Sequence, residues 1–173
     1  MRSTTQTHEQ FAEFVEASSG RLVRTAYLVL GDLAEAEDVA QEALAKVAQR
    51  WPRVRRMASP YGYARRVLFN LALEANRRRR RDPEPVAELP EFTGDDDTEQ
   101  VVARDVIVGA ILMLPPRQRA TLVLRYWEQL TEAETAKVLG CSVGTVKSQT
   151  SKAIQGLRKV LAEPPQTVYS RTT

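Results

Sequence analysis

The sequence predicts an all-α protein: two small helical domains joined by an acidic flexible linker. Three observations carry this. Apolar residues recur at steps of three and four along most of the chain, no stretch alternates as a half-buried strand would, and charge is segregated along the length. Residues 1–81 hold 15 Lys and Arg against 9 Asp and Glu, residues 82–105 hold 1 against 9, and residues 106–173 hold 9 against 4. Two cationic blocks around an acidic, proline-bearing strip suit two basic domains on a tether, within a length of 173 residues that alone allows one domain or two. The expected boundaries are a first domain over 8–81, a linker over 82–98, a second domain over 99–162 and a tail over 163–173.

From Gln10 to Leu30, Phe11, Phe14, Val15, Leu22, Val23, Ala26, Tyr27 and Leu30 fall at helical spacing, with Ser18-Ser19-Gly20 expected to bend or split the helix. Gly31 and Asp32 close it, and Asp32 is placed to cap a second helix from Leu33 to about Trp51, which Pro52 should end. A third begins at Ser59-Pro60, a favourable cap and first-turn pair. It runs through Ala64, Val67, Leu68, Leu71 and Ala75 into five arginines. Residues 82–97 hold three prolines and an acidic cluster, too little apolar surface to order themselves. Periodicity resumes at Glu99, where Val101, Val102, Val106, Ile107, Ala110, Ile111 and Leu114 make a helix stopped by Pro115-Pro116. Arg117 to Trp127 makes the next, with Leu122, Leu124 and Tyr126 as candidate core residues.

Leu130 to Leu161 reads as a helix-turn-helix. Thr131 can cap a short helix whose first turn holds Glu132 and Glu134, where the helix dipole favours carboxylates. Ala136 is small enough for close crossing, and Gly140 suits the positive φ of a tight turn. Val143, Val146, Thr150, Ala153, Leu157 and Val160 then share one face of a second helix. The opposite face carries hydroxyls, amides and cations without a carboxylate, so it can approach phosphates and offer donors and acceptors to base edges. The bland alternative is an ordinary αα corner.

Other classes are disfavoured. One cysteine forbids an internal disulfide, and one histidine, His8 near an expected frayed terminus, leaves no zinc cluster or His-based triad. Cys141 reads as a small apolar turn residue rather than a redox sensor. No paired carboxylates or phosphate-cradling glycine loop stand out, so neither a cofactor nor an enzymatic activity is expected. No run of 18 apolar residues and no signal-peptide pattern occurs, which predicts a cytoplasmic chain without membrane insertion. Residues 166–173 read as a mobile polar tail.

The order LPPRQRATLVLRYWEQLTEAETAKVLGCSVGTVKS resembles region 4 of bacterial sigma factors of the extracytoplasmic-function group in the sigma-70 family, of the actinobacterial type. DLAEAEDVAQEALAKVAQRW is similar to their region 2 helix that grips RNA polymerase, and SPYGYARRVLFNLALEANRRRRR to the adjoining helix that handles the −10 element. The resemblance spans roughly residues 10–161. It implies a transcription initiation factor that binds core RNA polymerase and promoter DNA and has no catalytic site. In many relatives an anti-sigma factor is a further partner.

Carried over residue by residue, the resemblance gives Asp38, Gln41 and Glu42 to the polymerase. These lie with position 45 on one helical face, whose bland reading is a solvated surface. Tyr61, Tyr63, Arg65, Arg66, Phe69, Asn70 and Asn76 would handle −10 DNA, a mixture of cations, rings and amides suited to unpaired bases. For Phe69 and Leu73, packing within the bundle is an equal alternative. Arg77, Arg78, Arg79, Arg80 and Arg81 would hold phosphates, adding affinity without sequence choice. Thr145, Lys147, Ser148, Gln149, Ser151 and Lys152 occupy the −35-reading stretch. The chain departs from the family pattern at Gln149, where many relatives carry arginine, at Thr150 and Ile154, and at Thr135 where isoleucine is common. Gln149 favours adenine where arginine would favour guanine. The acidic strip would serve solubility or screen the two basic domains at close range. A stand-alone helix-turn-helix regulator is the other function class, which would bind duplex DNA without polymerase.

Overall fold

The computed structural model describes the backbone of residues 2–81 and 99–162; the expected acidic linker (82–98) and tail (163–173) lie outside the described residues. Every regular element among the described residues is helical. Helix α1 spans Arg2–Leu30 and runs unbroken through Ser18-Ser19-Gly20. Local propensity there is overridden by packing: Ser18 is buried, and Leu22, Ala26, Val29 and Leu30 enter the core. The helix also continues past His8. Phe11 and Phe14 lie 5.2 and 5.0 Å, ring centre to ring centre, from Trp51, whose indole N–H donates to the Thr7 carbonyl at 3.1 Å.

Asp32 caps α2 (Leu33–Gln49) as its sequence position predicts, accepting from the Glu35 N–H at 2.8 Å. Its inner face is made of Ala36, Val39, Ala40, Ala43 and Val47, small residues that let α1 and α4 approach closely. Pro52 stands in the first turn of a short α3 (Trp51–Val54). Ser59 Oγ accepts from the Gly62 N–H at 2.9 Å to start α4 (Pro60–Arg81), which buries Ala64, Leu68, Phe69 and Ala72.

Helix α5 spans Glu99–Leu112; Ala110 and the following Leu114 are buried, whereas Val106 and Ile107 are half exposed. Helix α6 (Pro116–Leu122) does not continue to Trp127 as a regular α-helix. It widens into a π turn over Val123–Trp127, in which the Glu128 N–H reaches back to the Val123 carbonyl at 2.9 Å. One extra residue in a turn rotates the downstream chain by about 100°. Leu122 and Leu124 are therefore in the core as expected, but Tyr126 is 57 % exposed and Glu128 points inward, 4 % exposed.

The helix-turn-helix forms as its caps dictate. Thr131 and Glu134 make a reciprocal capping box at the start of α7 (Glu132–Leu139), and Gly140 ends it at φ +62°, a left-handed conformation that glycine adopts without strain. Ser142 Oγ accepts from the Thr145 N–H at 3.1 Å to open α8 (Val143–Ala162), which buries Val146 and Ala153. Thr135 in α7 is fully buried and its hydroxyl has no hydrogen-bond partner. Thr135→Val, which removes that hydroxyl at nearly constant shape, is expected to stabilise the fold by about 1 kcal/mol in denaturant titration; a loss of stability would show that the hydroxyl is satisfied in solution.

The two halves, expected apart on a tether, share one core. Ala120, Val123, Leu124 and Leu130 belong to the same buried cluster as Leu22, Ala26, Leu68 and Phe69. A smaller cluster of Leu114, Leu122 and Ala153 holds α8 against α6. Periodicity announces an apolar helix face but not which neighbour covers it.

Candidate functional site

Three surfaces carry the expected functional residues. On α2, Asp38, Gln41 and Glu42 are all exposed, opposite the alanine-lined inner face. Glu42 pairs with Lys46 at 3.1 Å, both side chains about half exposed. An ion pair so solvated contributes only about 0–1 kcal/mol, so it scarcely competes with a partner for the carboxylate.

Helix α4 divides its set. Arg66, Asn70, Arg77 and Arg78 are exposed, and Tyr61, Tyr63, Arg65 and Arg79 are partly buried. Two residues must be corrected. Phe69 is 0 % exposed and packs in the core, the other of its two readings, so in this conformation it cannot stack on a base; Asn76 is buried with its amide donating to the Val29 carbonyl at 3.4 Å. Tyr63 accepts from Arg50 at 3.1 Å. In the arginine run, Arg78 pairs with Glu74, and Arg79 pairs with Glu35 and donates to the Leu30 carbonyl. Arg80 and Arg81 complete the helix, with side chains outside the described residues.

Tyr61 lies under two guanidinium groups, 4.7 Å from Arg21 and 5.8 Å from Arg65, and donates to Glu128 at 3.0 Å. Burial first, and the adjacent Glu128 carboxylate second, push its phenol up to about 12. A phenol whose acidity is weakened in the folded chain stabilises that fold fully below its ordinary value of 10.0 and loses this contribution as pH rises through about 12. In a phenolate absorbance titration, Tyr61 is therefore expected to ionise near 12. Glu128→Gln should lower that value, because the adjacent carboxylate charge is gone; no change would remove Glu128 as a cause.

On α8, Thr145, Lys147, Ser148, Ser151 and Lys152 are exposed and Gln149 is half-buried. The helix contains no acidic residue, and Lys147 reaches Glu132 only at 3.7 Å. Thr145 exchanges a hydroxyl contact of 2.9 Å with Ser142. Cys141 is a free, half-buried thiol in the turn.

The structure brings the α4 and α8 sets to one cleft. A cavity of about 350 Å³ is lined by Asn70, Asn76 and Arg77 on one side and by Cys141, Thr145 and Gln149 on the other. Sequence reasoning missed this meeting and missed Glu128, which joins the halves. The only signal for Glu128 was an acid between Trp127 and Leu130 in a basic module. Arg119 was missed too: it is buried, donates to the Leu112 carbonyl at 3.2 Å, and burial pulls its guanidinium down to about 10. Among the described residues no helix is long and apolar enough to cross a membrane, and no cluster of three His, Cys, Asp or Glu side chains could hold a metal.

The chain is similar to known proteins along most of its length. Residues 14–82 match the family model of sigma-70 region 2, and residues 104–157 match that of sigma-70 region 4. The chain is 38 % identical over 152 residues to the RNA polymerase sigma-E factor of Streptomyces coelicolor, covering 88 % of this chain and 86 % of that protein. It is 29 % identical to the ECF RNA polymerase sigma factor SigW of Bacillus subtilis, covering 90 % of each. Its fold is similar to the sigma factor RpoE solved in complex with the anti-sigma factor NepR from Bartonella quintana, with a TM-score of 0.69 at 23 % identity over 89 % of this chain and 98 % of that one. With both regions present in order, and with that share of a sigma factor's length matched, the chain belongs to the sigma-70 family of RNA polymerase sigma factors, in its extracytoplasmic-function group.

Proposed function

We propose that this sigma factor works in the cytoplasm, without catalysis of its own, by mounting two modules on core RNA polymerase and reading a promoter at two places. Residues 8–81 form the polymerase-binding and −10 module, residues 99–162 the −35 module, and residues 82–98 connect them. Asp38, Gln41 and Glu42 meet the polymerase. Tyr61, Tyr63, Arg65, Arg66 and Asn70 handle the −10 strand, with Arg77 and Arg78 on phosphates. Thr145, Lys147, Ser148, Gln149, Ser151 and Lys152 enter the −35 major groove.

The observation that carries this reading is the acid-free, exposed face of α8 behind a glycine-hinged, fully capped α7, in the same chain as the exposed acid-amide stripe of α2. The purified chain added to core polymerase should yield promoter-dependent transcripts. Failure to bind core at low salt would overturn the reading, and tight binding to promoter duplex without polymerase would favour a stand-alone regulator.

Specificity is tested at Gln149. Gln149→Ala is expected to relax preference at one or two −35 positions, costing about 1–3 kcal/mol at a cognate base. A uniform loss across all promoter variants would instead make Gln149 a backbone contact.

A further inference from the structure

Glu128 ends the π turn with its side chain at 0 % exposure, and its two carboxylate oxygens are filled from the other half of the chain. Oε1 accepts from the Thr25 hydroxyl at 2.8 Å and the Tyr61 hydroxyl at 3.0 Å; Oε2 accepts from Arg21 at 3.0 Å and Arg65 at 3.2 Å. The Trp127 indole closes the ring by donating to Thr25 Oγ1 at 3.2 Å. All four donors to the Glu128 carboxylate come from α1 and α4, so this one side chain of the C-terminal half is bonded entirely to the N-terminal half.

We propose that Glu128 is a latch that keeps the free sigma factor closed, with Tyr61 and Arg65 withheld from −10 DNA until polymerase engagement opens it. This rests on the promoter-reading roles given above. In the closed form the α4 and α8 reading sets face each other across a cavity of about 350 Å³. That space suits a small molecule (about 300–1,000 Å³), whereas a recognition helix must enter a major groove about 12 Å wide. Neither set can therefore use its cleft-facing members on DNA until the halves part. One movement frees both, because Tyr61 and Arg65 are released as α6 and the helix-turn-helix swing away.

The latch is reversible by construction. Arg119 is buried in the same closed form with its Nε unpartnered and no ion pair among the described residues, so closure traps a guanidinium that opening would rehydrate. Closure thus sets a fully hydrogen-bonded buried carboxylate against a buried cation held by one carbonyl, with its Nε unpartnered. Removing the first tips the balance towards opening.

The test uses the full chain without polymerase. In a Cys141→Ser background, Glu13→Cys on α1 and Arg158→Cys on α8, both exposed and outside the proposed contacts, carry a dye pair for energy transfer. Glu128→Gln is expected to raise the open population by at least about tenfold, since breaking a buried charged network is strongly unfavourable. Helical circular dichroism should be unchanged and association with core polymerase faster. Tyr61→Phe should open the chain by itself yet add little on top of Glu128→Gln, a coupling that a merely structural residue would not show. Unchanged energy transfer in a folded Glu128→Gln, or full additivity with Tyr61→Phe, overturns the latch. If Glu128→Gln does not fold, Arg65→Gln removes a single arm and is read in the same way. The readout needs no transcription, so the latch can fail while the chain still directs promoter-dependent synthesis, and the converse.

Discussion

Phe69→Ala is expected to destabilise the fold by about 3–5 kcal/mol, the usual cost of truncating a fully buried aromatic ring, and to be visible as an earlier midpoint in denaturant unfolding. Phe69 is the largest of the fully buried side chains and belongs to the core cluster that both halves share. Phe69→Leu keeps most of the apolar volume and should cost less than about 1.5 kcal/mol. The ring lies in the helix proposed above to handle −10 DNA, so the experiment separates two roles. If Phe69→Ala keeps its stability and loses only promoter opening, the ring leaves the core to stack on a base.

Glu42→Lys is expected to weaken binding to core polymerase by at least about tenfold with the melting temperature nearly unchanged, because a like charge set against a basic partner surface is costly. Equilibrium binding of a labelled chain to core reads the effect. Two structural facts make the variant clean. Glu42 is exposed on the side of α2 away from the Ala36, Ala40 and Ala43 face, and the bond it loses is a solvated pair with Lys46. Lys46→Ala breaks the same pair without reversing Glu42 and should bind normally. Equal loss in both variants would assign the effect to helix α2 itself and return the acidic stripe to solvent.

Most of the fold was legible because its punctuation is chemical and local. Asp32, Ser59, Thr131 and Gly140 each stand where a helix must begin or end, and each makes the contact its type suggests. The candidate surfaces on α2 and α8 were legible for a related reason: polar residues at helical spacing identify a face, and both faces are exposed. The features that escaped were decisions made by tertiary packing. The serine-glycine interruption in α1 is held straight by the burial of Ser18 and Leu22. The π turn is closed by the Glu128 N–H on the Val123 carbonyl, with no residue type that announces it, yet it exchanges Tyr126 for Glu128 in the interior. Phe69 and Asn76 have chemistry suited to single-stranded DNA and positions suited to the core. Composition could not choose between those.

The arginine run at the end of α4 bears on how the factor responds to ionic strength. Each phosphate neutralised steepens the logarithmic salt dependence of duplex binding by about 0.9, so five free arginines would make promoter capture acutely sensitive to osmotic stress. Arg79 is instead tied down by Glu35 and the Leu30 carbonyl, whereas Arg78 meets Glu74 only in a solvated pair. The Glu35 carboxylate is a built-in counterion to Arg79. On the phosphate-holding role proposed above, it would trade some grip on DNA for an output that varies less when the potassium content of the cell changes.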